Sequence, residues 1–172
     1  LVFLIAAANA WAAGTVTHVM RVLPAPEKVE IDGRTADWDL RAGMLICGDI
    51  DNQLNTHSLW VHAMHDETYL YLLVRWRDET PLNNPKGLDD EQGWQGDALQ
   101  FRLWERKDQQ DAITHMDSWQ APNGKDRINL SYGRDLNQKH IRRAKEHGAK
   151  QAFRLVAPSL YVQEIALPWK LL

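Results

Sequence analysis

The most regular pattern of apolar and polar positions along the chain lies between residues 58 and 78. Two apolar-rich segments meet there at a polar turn with the sequence DET, residues 66–68. Because side chains alternate along a strand with a period of two, Trp60, His62 and Met64 fall on one face of the first segment. The second segment is rich in aromatic and β-branched residues, which suit a pleated and partly buried surface. The pattern predicts one long β-hairpin.

Strand-like patterning recurs elsewhere along the chain. Leu99, Phe101 and Leu103 alternate with more polar neighbours, and they predict the core face of another strand. The dipeptide Asn123-Gly124 favours a tight hairpin turn between two further strands. Besides the hairpin, the predicted strands are residues 28–31, 97–104, 112–119, 127–132, 151–156 and 160–167.

The segments between these strands are polar and predict loops. Residues 80–96 combine proline, asparagine and glycine with a cluster of acids, which predicts a long acidic surface loop. Residues 36–38 start one short irregular or helical segment, and the basic residues 134–150 predict a solvated loop or a short helix. The pattern predicts an all-β fold, a single antiparallel β-sandwich of immunoglobulin-like or jelly-roll-like type over residues 27–172.

The chain opens with the apolar run LVFLIAAANAWAAG, which is too short to span a bilayer and ends in small residues. A signal peptide has the same kind of apolar region and cleavage site. We therefore expect residues 1–13 to be part of a signal peptide and residues 14–26 to be a linker. The expected location is the periplasm or the extracellular space, with no transmembrane segment.

Composition narrows the class of protein further. Hydrophobic residues make up 44% and charged residues 25%, which is typical of a globular domain. The net charge of −3, with scattered Lys and Arg, gives no electrostatic footprint for nucleic acid. The single cysteine, Cys47, allows no intramolecular disulfide, and its apolar surroundings predict a small buried side chain.

Four segments, taken in order, resemble one superfamily of secreted β-sandwiches. This superfamily includes the family 9 carbohydrate-binding modules, the DOMON domains and the haem-binding subunit of ethylbenzene dehydrogenase. The resemblance covers residues 27 to 172. The segments are IDG with ADW (residues 31–33 and 36–38), VRWRD (74–78), GDALQ (96–100) and EIALPW (164–169).

Two branches of this superfamily share features with the chain. The run WRDETP at residues 76–81 is similar to the tryptophan-acid-acid-threonine pattern of the ethylbenzene dehydrogenase type, and residues 113–120 fall where that group carries its haem-side strand. This resemblance implies a non-catalytic domain that binds b-type haem and passes electrons to a redox partner protein. Residues 96–98 and 164–169 are more similar to the carbohydrate-binding branch, which clamps a sugar between tryptophans, often with calcium nearby.

Haem needs one or two axial donors, for which His imidazole and Met thioether are suitable. His115 and Met116 are adjacent on a predicted strand and point to opposite faces, so at most one of them can enter a given pocket. His62 and Met64 share a face of the hairpin, and either could be the second donor. Core packing is the alternative role for both methionines. The Met-plus-Lys ligand pair of the family does not carry over residue by residue, and the lack of a Cys-x-x-Cys-His motif excludes covalent c-type attachment.

Sugar binding needs exposed aromatic faces with a few directed polar groups. Among eight tryptophans, the ligand-stacking candidates are Trp94, Trp104, Trp119 and Trp60. Trp94 and Trp104 are expected to be the exposed platforms, and core or rim packing is the alternative for all four. The candidates that would bind sugar hydroxyls are Asp97, Gln100 and Arg102.

The sequence contains no Gly-x-Ser-x-Gly, His-Glu-x-x-His or phosphate-loop motif, so we do not expect this segment to be an enzyme by itself. Two further possibilities concern calcium and a structural role. Asp89, Asp90 and Asp97 are calcium candidates, although a solvated acidic loop accounts for the same charges. The third function considered is a structural or adhesion module of a larger secreted protein, which predicts no small-molecule pocket.

Overall fold

The computed structural model describes residues 13–15, 20–107, 110–133 and 139–172. Within them, one sheet of six strands and one sheet of four strands form a β-sandwich, which confirms the predicted fold class. Residues 1–12 of the predicted signal peptide lie outside the described residues, as do residues 134–138 of the predicted basic loop. In the described part, no helix is long and apolar enough to cross a membrane.

The strands alternate with short turns and helices along the chain. The one α-helical turn described is α1 (Ile50–Gln53), and 3-10 turns lie at Leu40–Ala42, Gly93–Gln95, Ala144–His147 and Trp169–Leu171. The described strands are β1 (Val22–Pro24), β2 (Met44–Cys47), β3 (His57–His65), β4 (Tyr69–Asp78), β5 (Ala98–Lys107), β6 (Gln110–Gln120), β7 (Asp126–Tyr132), β8 (Lys139–Ile141), β9 (Lys150–Ala157) and β10 (Leu160–Pro168).

The two sheets differ in strand order and in strand direction. The six-stranded sheet has the order β1-β3-β4-β10-β9, and β2 also pairs with β3. The four-stranded sheet is the antiparallel series β5-β6-β7-β8. All pairings are antiparallel except that of β1 with β3, which is parallel and was not expected from the sequence.

The predicted hairpins are confirmed. β3 and β4 pair along their whole length, and Asp66 accepts the backbone N–H groups of Thr68 and Tyr69 at 2.7 Å in the turn between them. β6 and β7 are joined by the predicted tight turn, where Gly124 adopts a left-handed conformation with φ of 77°. β9 and β10 form the closing hairpin.

The N-terminal strand prediction is wrong, because residues 28–31 form no strand and β1 lies instead within the range predicted as a linker. Val29 is buried, but backbone hydrogen bonds from this region go to side chains rather than to a sheet. Glu30 N–H donates to Asp37 Oδ2 at 2.6 Å, for example. The short irregular or helical segment predicted to start at residues 36–38 begins with a turn and leads into the 3-10 turn Leu40–Ala42. The strands β2 and β8 were not predicted.

The main core lies between the sheets. It joins Ala63, Leu72 and Ile165 of the six-stranded sheet to Met116 and Leu130 of the four-stranded sheet. The predicted core face of β5 is confirmed, because its alternating apolar residues at 99 and 101 pack against this cluster.

A second apolar cluster covers the outer face of the six-stranded sheet. Val29 and Trp38 pack there against Met64, Tyr71 and Leu73, whose side chains point away from the main core. The segment before β2 therefore forms a third layer, and this layer shapes the outer surface around β3.

A buried carboxylate on β10 binds this third layer through hydrogen bonds. Glu164 is fully buried and accepts hydrogen bonds from the backbone N–H of Asp32 at 2.8 Å, from the N–H of Gly33, and from Trp38 Nε1 at 2.6 Å. Burial raises the pKa of Glu164, and these donors act in the opposite direction. The contacts join two of the four sequence segments that carry the family resemblance: the first, with residues 31–33 and 36–38, and the last, residues 164–169.

The long loop at residues 80–96 packs on the outer face of the four-stranded sheet. Trp119 Nε1 donates to Gly87 O at 2.9 Å, and Asn129 Nδ2 donates to Asp90 O at 2.8 Å. The loop is therefore docked on the sheet at several points.

Candidate functional site

A cavity of about 860 Å³ opens beside β3 on the outer side of the six-stranded sheet. Its walls come from segments that meet only in the fold: residues 14–15, the chain around β1, the turn before β2, β2 itself and the start of α1. Trp60 projects into it from β3 and is 42% exposed. The apolar part of the lining consists of Leu23, Leu45, Ile50, Met44 and Trp60.

His62 lies directly behind one wall of this cavity. It is 4% exposed, and neither ring nitrogen has a hydrogen-bond partner among the described residues. Its imidazole stacks on Trp60 with ring centroids 6.5 Å apart and planes 21° apart. Gly43 lines the cavity and also contacts the ring, since a Cβ built on it would lie 2.2 Å from His62 Cε1. Gly43 therefore adjoins both the cavity and the imidazole.

The charges around His62 favour the neutral imidazole. Burial lowers the pKa of His62, the nearby Arg75 charge lowers it further, and the carboxylate of Asp39 opposes both effects. A neutral imidazole has a lone pair free to bind a metal, whereas imidazolium has none. A buried polar atom without a partner is costly in a folded protein, so two of them on one ring mark a candidate ligand site.

Two arginines line the cavity, and they differ in whether they are paired with a carboxylate. Arg41 is bound to Asp39, with Nε 2.9 Å from Oδ1 and Nη2 2.5 Å from Oδ2. The hydrogen bonds from Arg41 lower the pKa of Asp39 to about 2, so the pair stays ionised and largely self-neutralised. Arg21 also lines the cavity and forms no ion pair with any described carboxylate.

The other axial candidates do not converge with His62. Met64 lies on the same face of β3, but it is fully buried in the outer apolar cluster, and its Sδ accepts the Asp39 N–H at 3.3 Å. Met116 lies in the main core, on the opposite side of the six-stranded sheet. Both methionines therefore pack in apolar clusters, which was the alternative considered from the sequence.

His115 lies on the far side of the sandwich, and both of its ring nitrogens are engaged. Arg102 Nε donates to His115 Nδ1 at 3.2 Å, and His115 Nε2 lies 3.0 Å from Asp117 Oδ1. Because Nδ1 accepts a hydrogen bond, the proton sits on Nε2, which donates to the carboxylate. His115 thus belongs to a polar network on the outer face of the four-stranded sheet.

The four tryptophan candidates fall into different environments. Trp94 and Trp104 are exposed, as expected, with Trp104 at 67%. Trp119 is buried beneath the long loop, and a Cβ on Gly93 would lie 2.2 Å from its ring, so it offers no face to a ligand. Trp60 is the tryptophan that lines the cavity described above.

The polar candidates for sugar binding separate into two groups. Gln100 and Arg102 lie on the exposed outer face of β5, on the same side as Trp104. Asp97 precedes this strand, is partly buried, and accepts the Asn83 N–H at 2.6 Å. Burial, with a smaller contribution from the neighbouring Asp78, raises the pKa of Asp97 to about 6.

The calcium candidates are not brought together. Asp90 pairs with Arg127 at 3.0 Å and with Arg143 at 3.8 Å, while Asp89 accepts the Glu91 N–H at 2.7 Å within the loop. Among the described residues, no three carboxylate, imidazole or thiolate groups converge to hold a metal ion.

Sequence reasoning missed several residues at the cavity: Arg21, Gly43, Met44 and Leu45. They lie in or next to β1 and β2, the two strands that were not predicted. The apolar run MLIC at residues 44–47 is a usable signal for β2, although it is short and does not alternate. The expectation that Cys47 is a small buried side chain is confirmed.

In comparisons with known proteins, no family model and no curated protein sequence matches this chain. The resemblance carried by the four segments therefore stays a prediction. The fold itself defines a two-sheet β-sandwich with a cavity on the outer side of its larger sheet.

Proposed function

We propose that this protein binds b-type haem in the cavity beside Trp60, with His62 as an axial ligand, and serves in electron transfer. The observation that carries the proposal is the buried imidazole of His62, which has no partner on either nitrogen and lies behind the glycine wall of the cavity. Histidine is a common axial ligand of haem iron, and this unpaired state is what a resident metal would relieve.

The residues present fit such a group. Leu23, Leu45 and Ile50 would exclude water from the flat macrocycle, and Trp60 would support it from β3. When bound, haem b supplies one-electron transfer between ferric and ferrous iron. To coordinate the iron, the imidazole must extend past Gly43, which has no side chain to block it.

The test is a titration of the full chain with haemin, followed by visible absorption. We expect a sharp Soret band with the wild-type protein, loss of that band in His62→Gly, and its recovery when imidazole is added to that variant. His115→Gln is the control, since His115 lies on the far side of the sandwich and is already paired. A band that survives His62→Gly without imidazole, or that depends on His115, contradicts the proposal.

Saccharide binding is a second candidate, favoured by one observation. Gln100, Arg102 and Trp104 form a row on the exposed face of β5, an edge strand of the four-stranded sheet. An exposed indole beside amide and guanidinium groups suits the C–H face and the hydroxyls of a sugar. Saccharide-dependent fluorescence quenching that Trp104→Ala abolishes, together with a flat haemin spectrum, would favour this function. The spacer-module alternative predicted no pocket and gains no support from the cavity.

A further inference from the structure

Two arginines stand beside Trp60 on the outer face of β4. In the β3–β4 register, Arg75 lies opposite Trp60 and Arg77 lies opposite Ser58. Both side chains are exposed, and neither forms an ion pair with a described carboxylate. Because they are two residues apart on one strand face, their backbone positions are about 7 Å apart. The strand therefore presents two unneutralised cations side by side.

These arginines line a second concavity that shares Trp60 with the large cavity. This smaller space has a volume of about 240 Å³, and Val162 and Leu160 provide its apolar surface. Trp60 lines both spaces.

The described lining of the large cavity contains one arginine without an ion pair, whereas β4 presents two. Arg41 is already bound to Asp39 by paired hydrogen bonds, which leaves Arg21 as the unpaired arginine of its described lining. A ligand with two carboxylates on one edge is complemented by two cationic partners that lie side by side. Guanidinium groups are well suited to this role because they bind carboxylates in a fixed, bidentate geometry.

We propose that Arg75 and Arg77 bind the two propionate carboxylates of the haem and so orient it, with its charged edge over β4 and its iron toward His62. This inference rests on the proposed function. It makes the site selective for flat dicarboxylates, since a ligand of the same shape without the two charges loses both ion pairs. Arg75 and Arg77 are positioning residues, because they contact the rim of the ligand rather than its reacting centre.

The experiment compares haemin with haemin dimethyl ester, which has the same macrocycle without free carboxylates. Both are titrated into the wild-type chain, Arg75→Gln, Arg77→Gln and the double variant, and dissociation constants are taken from the Soret band. We expect the wild-type protein to prefer haemin, each single variant to bind haemin about fivefold more weakly, and the double variant to lose the preference. Affinity for the ester should be nearly the same in all four proteins.

Two control variants sharpen the result. Arg142→Gln removes an exposed arginine that pairs with Glu91 near the four-stranded sheet, and it should leave both affinities unchanged. Arg21→Gln tests the competing anchor. If Arg21→Gln, rather than the β4 variants, abolishes the preference for haemin, the inference is overturned. If haemin and its ester bind equally to every protein, the inference fails while haem binding stands. If neither ligand produces a Soret band, both the inference and the proposed function fail.

Discussion

At the scale of single residues, hydrogen-bond state separates the two histidine candidates for axial ligand, of which the sequence favoured His115 over His62. His62 and His115 both lie on strands, and both are buried. His115 uses both ring nitrogens in a polar network, whereas His62 uses neither. The sequence could place each residue on a strand face, but the partners of a buried nitrogen come from distant segments. Only the tertiary structure therefore distinguishes a candidate ligand from a structural histidine.

Gly43→Ala tests how tightly His62 is held against the cavity wall. The new Cβ would overlap His62 Cε1, so either the imidazole or the turn before β2 must shift. We expect the free energy of unfolding to fall by about 1–3 kcal/mol, the usual range for an overpacked site, and the affinity for haemin to fall with it. Urea denaturation and haemin titration measure the two effects.

Gly48→Ala is the control for this substitution. A Cβ at Gly48 would meet only the flexible Gln53 side chain, at 3.4 Å, so the change should be nearly neutral. If the two substitutions lowered the free energy of unfolding equally, the close contact between Gly43 and His62 would contribute nothing to stability.

At the scale of elements, the sequence predicted those whose pattern is local. The β3–β4 and β9–β10 hairpins and the strands β5 to β7 followed from alternation and turn residues. The prediction of a strand at residues 28–31 failed because their side chains alternate in burial while the Glu30 N–H donates to the Asp37 carboxylate instead of to a strand. β1 and β2 have only three and four residues, too few for a period to be read, and they build much of the cavity.

Glu164→Gln tests how the third layer is fastened to β10. The carboxylate accepts from two backbone N–H groups and from Trp38, and an amide would turn a donor toward one of these donors. We expect a loss of about 1–3 kcal/mol in the free energy of unfolding, since a buried donor is left without its partner. Removal of the buried charge offsets part of this loss. Hydrogen exchange should show faster exchange of the Asp32 and Gly33 amides.

The exposed Glu146 provides the control for that prediction. Glu146→Gln changes the same functional group in a partly solvated ion pair with Arg143, where small effects are the rule. Unchanged exchange at residues 32 and 33 in Glu164→Gln would contradict the role assigned to the carboxylate.

At the scale of the whole molecule, the order of strands decides which candidate residues can meet. Met116, on β6, lies between the sheets, whereas His62 and Met64 lie on the outer side of the six-stranded sheet. Alternation along each strand predicts which residues share a face, but not which sheet the strand joins. The sequence therefore identified His62 and Trp60 as candidates without identifying the cavity that Trp60 lines and His62 adjoins. Its walls depend on long-range contacts, such as the parallel pairing of β1 with β3.

The acidic pair Asp78 and Asp97 gives the whole fold a predictable pH dependence. Burial and the neighbouring carboxyl raise the pKa of Asp97 from 3.8 to about 6. The folded state thus binds this proton more tightly than the unfolded state does. The stabilisation is fully present below about pH 4 and is lost as the pH rises through about 6.

Asp97→Asn keeps the side chain uncharged and preserves an acceptor for the Asn83 N–H. We expect the variant to be more stable than wild type at pH 7.5, by on the order of 1 kcal/mol because Asp97 is partly solvated, and the difference to shrink toward zero near pH 4. Urea denaturation at several pH values measures the difference, and Glu67→Gln, in the exposed β3–β4 turn, is the control. Since only a proton bound more tightly by the folded state makes the gain grow with pH, a pH-independent gain would place the cause in hydrogen bonding instead.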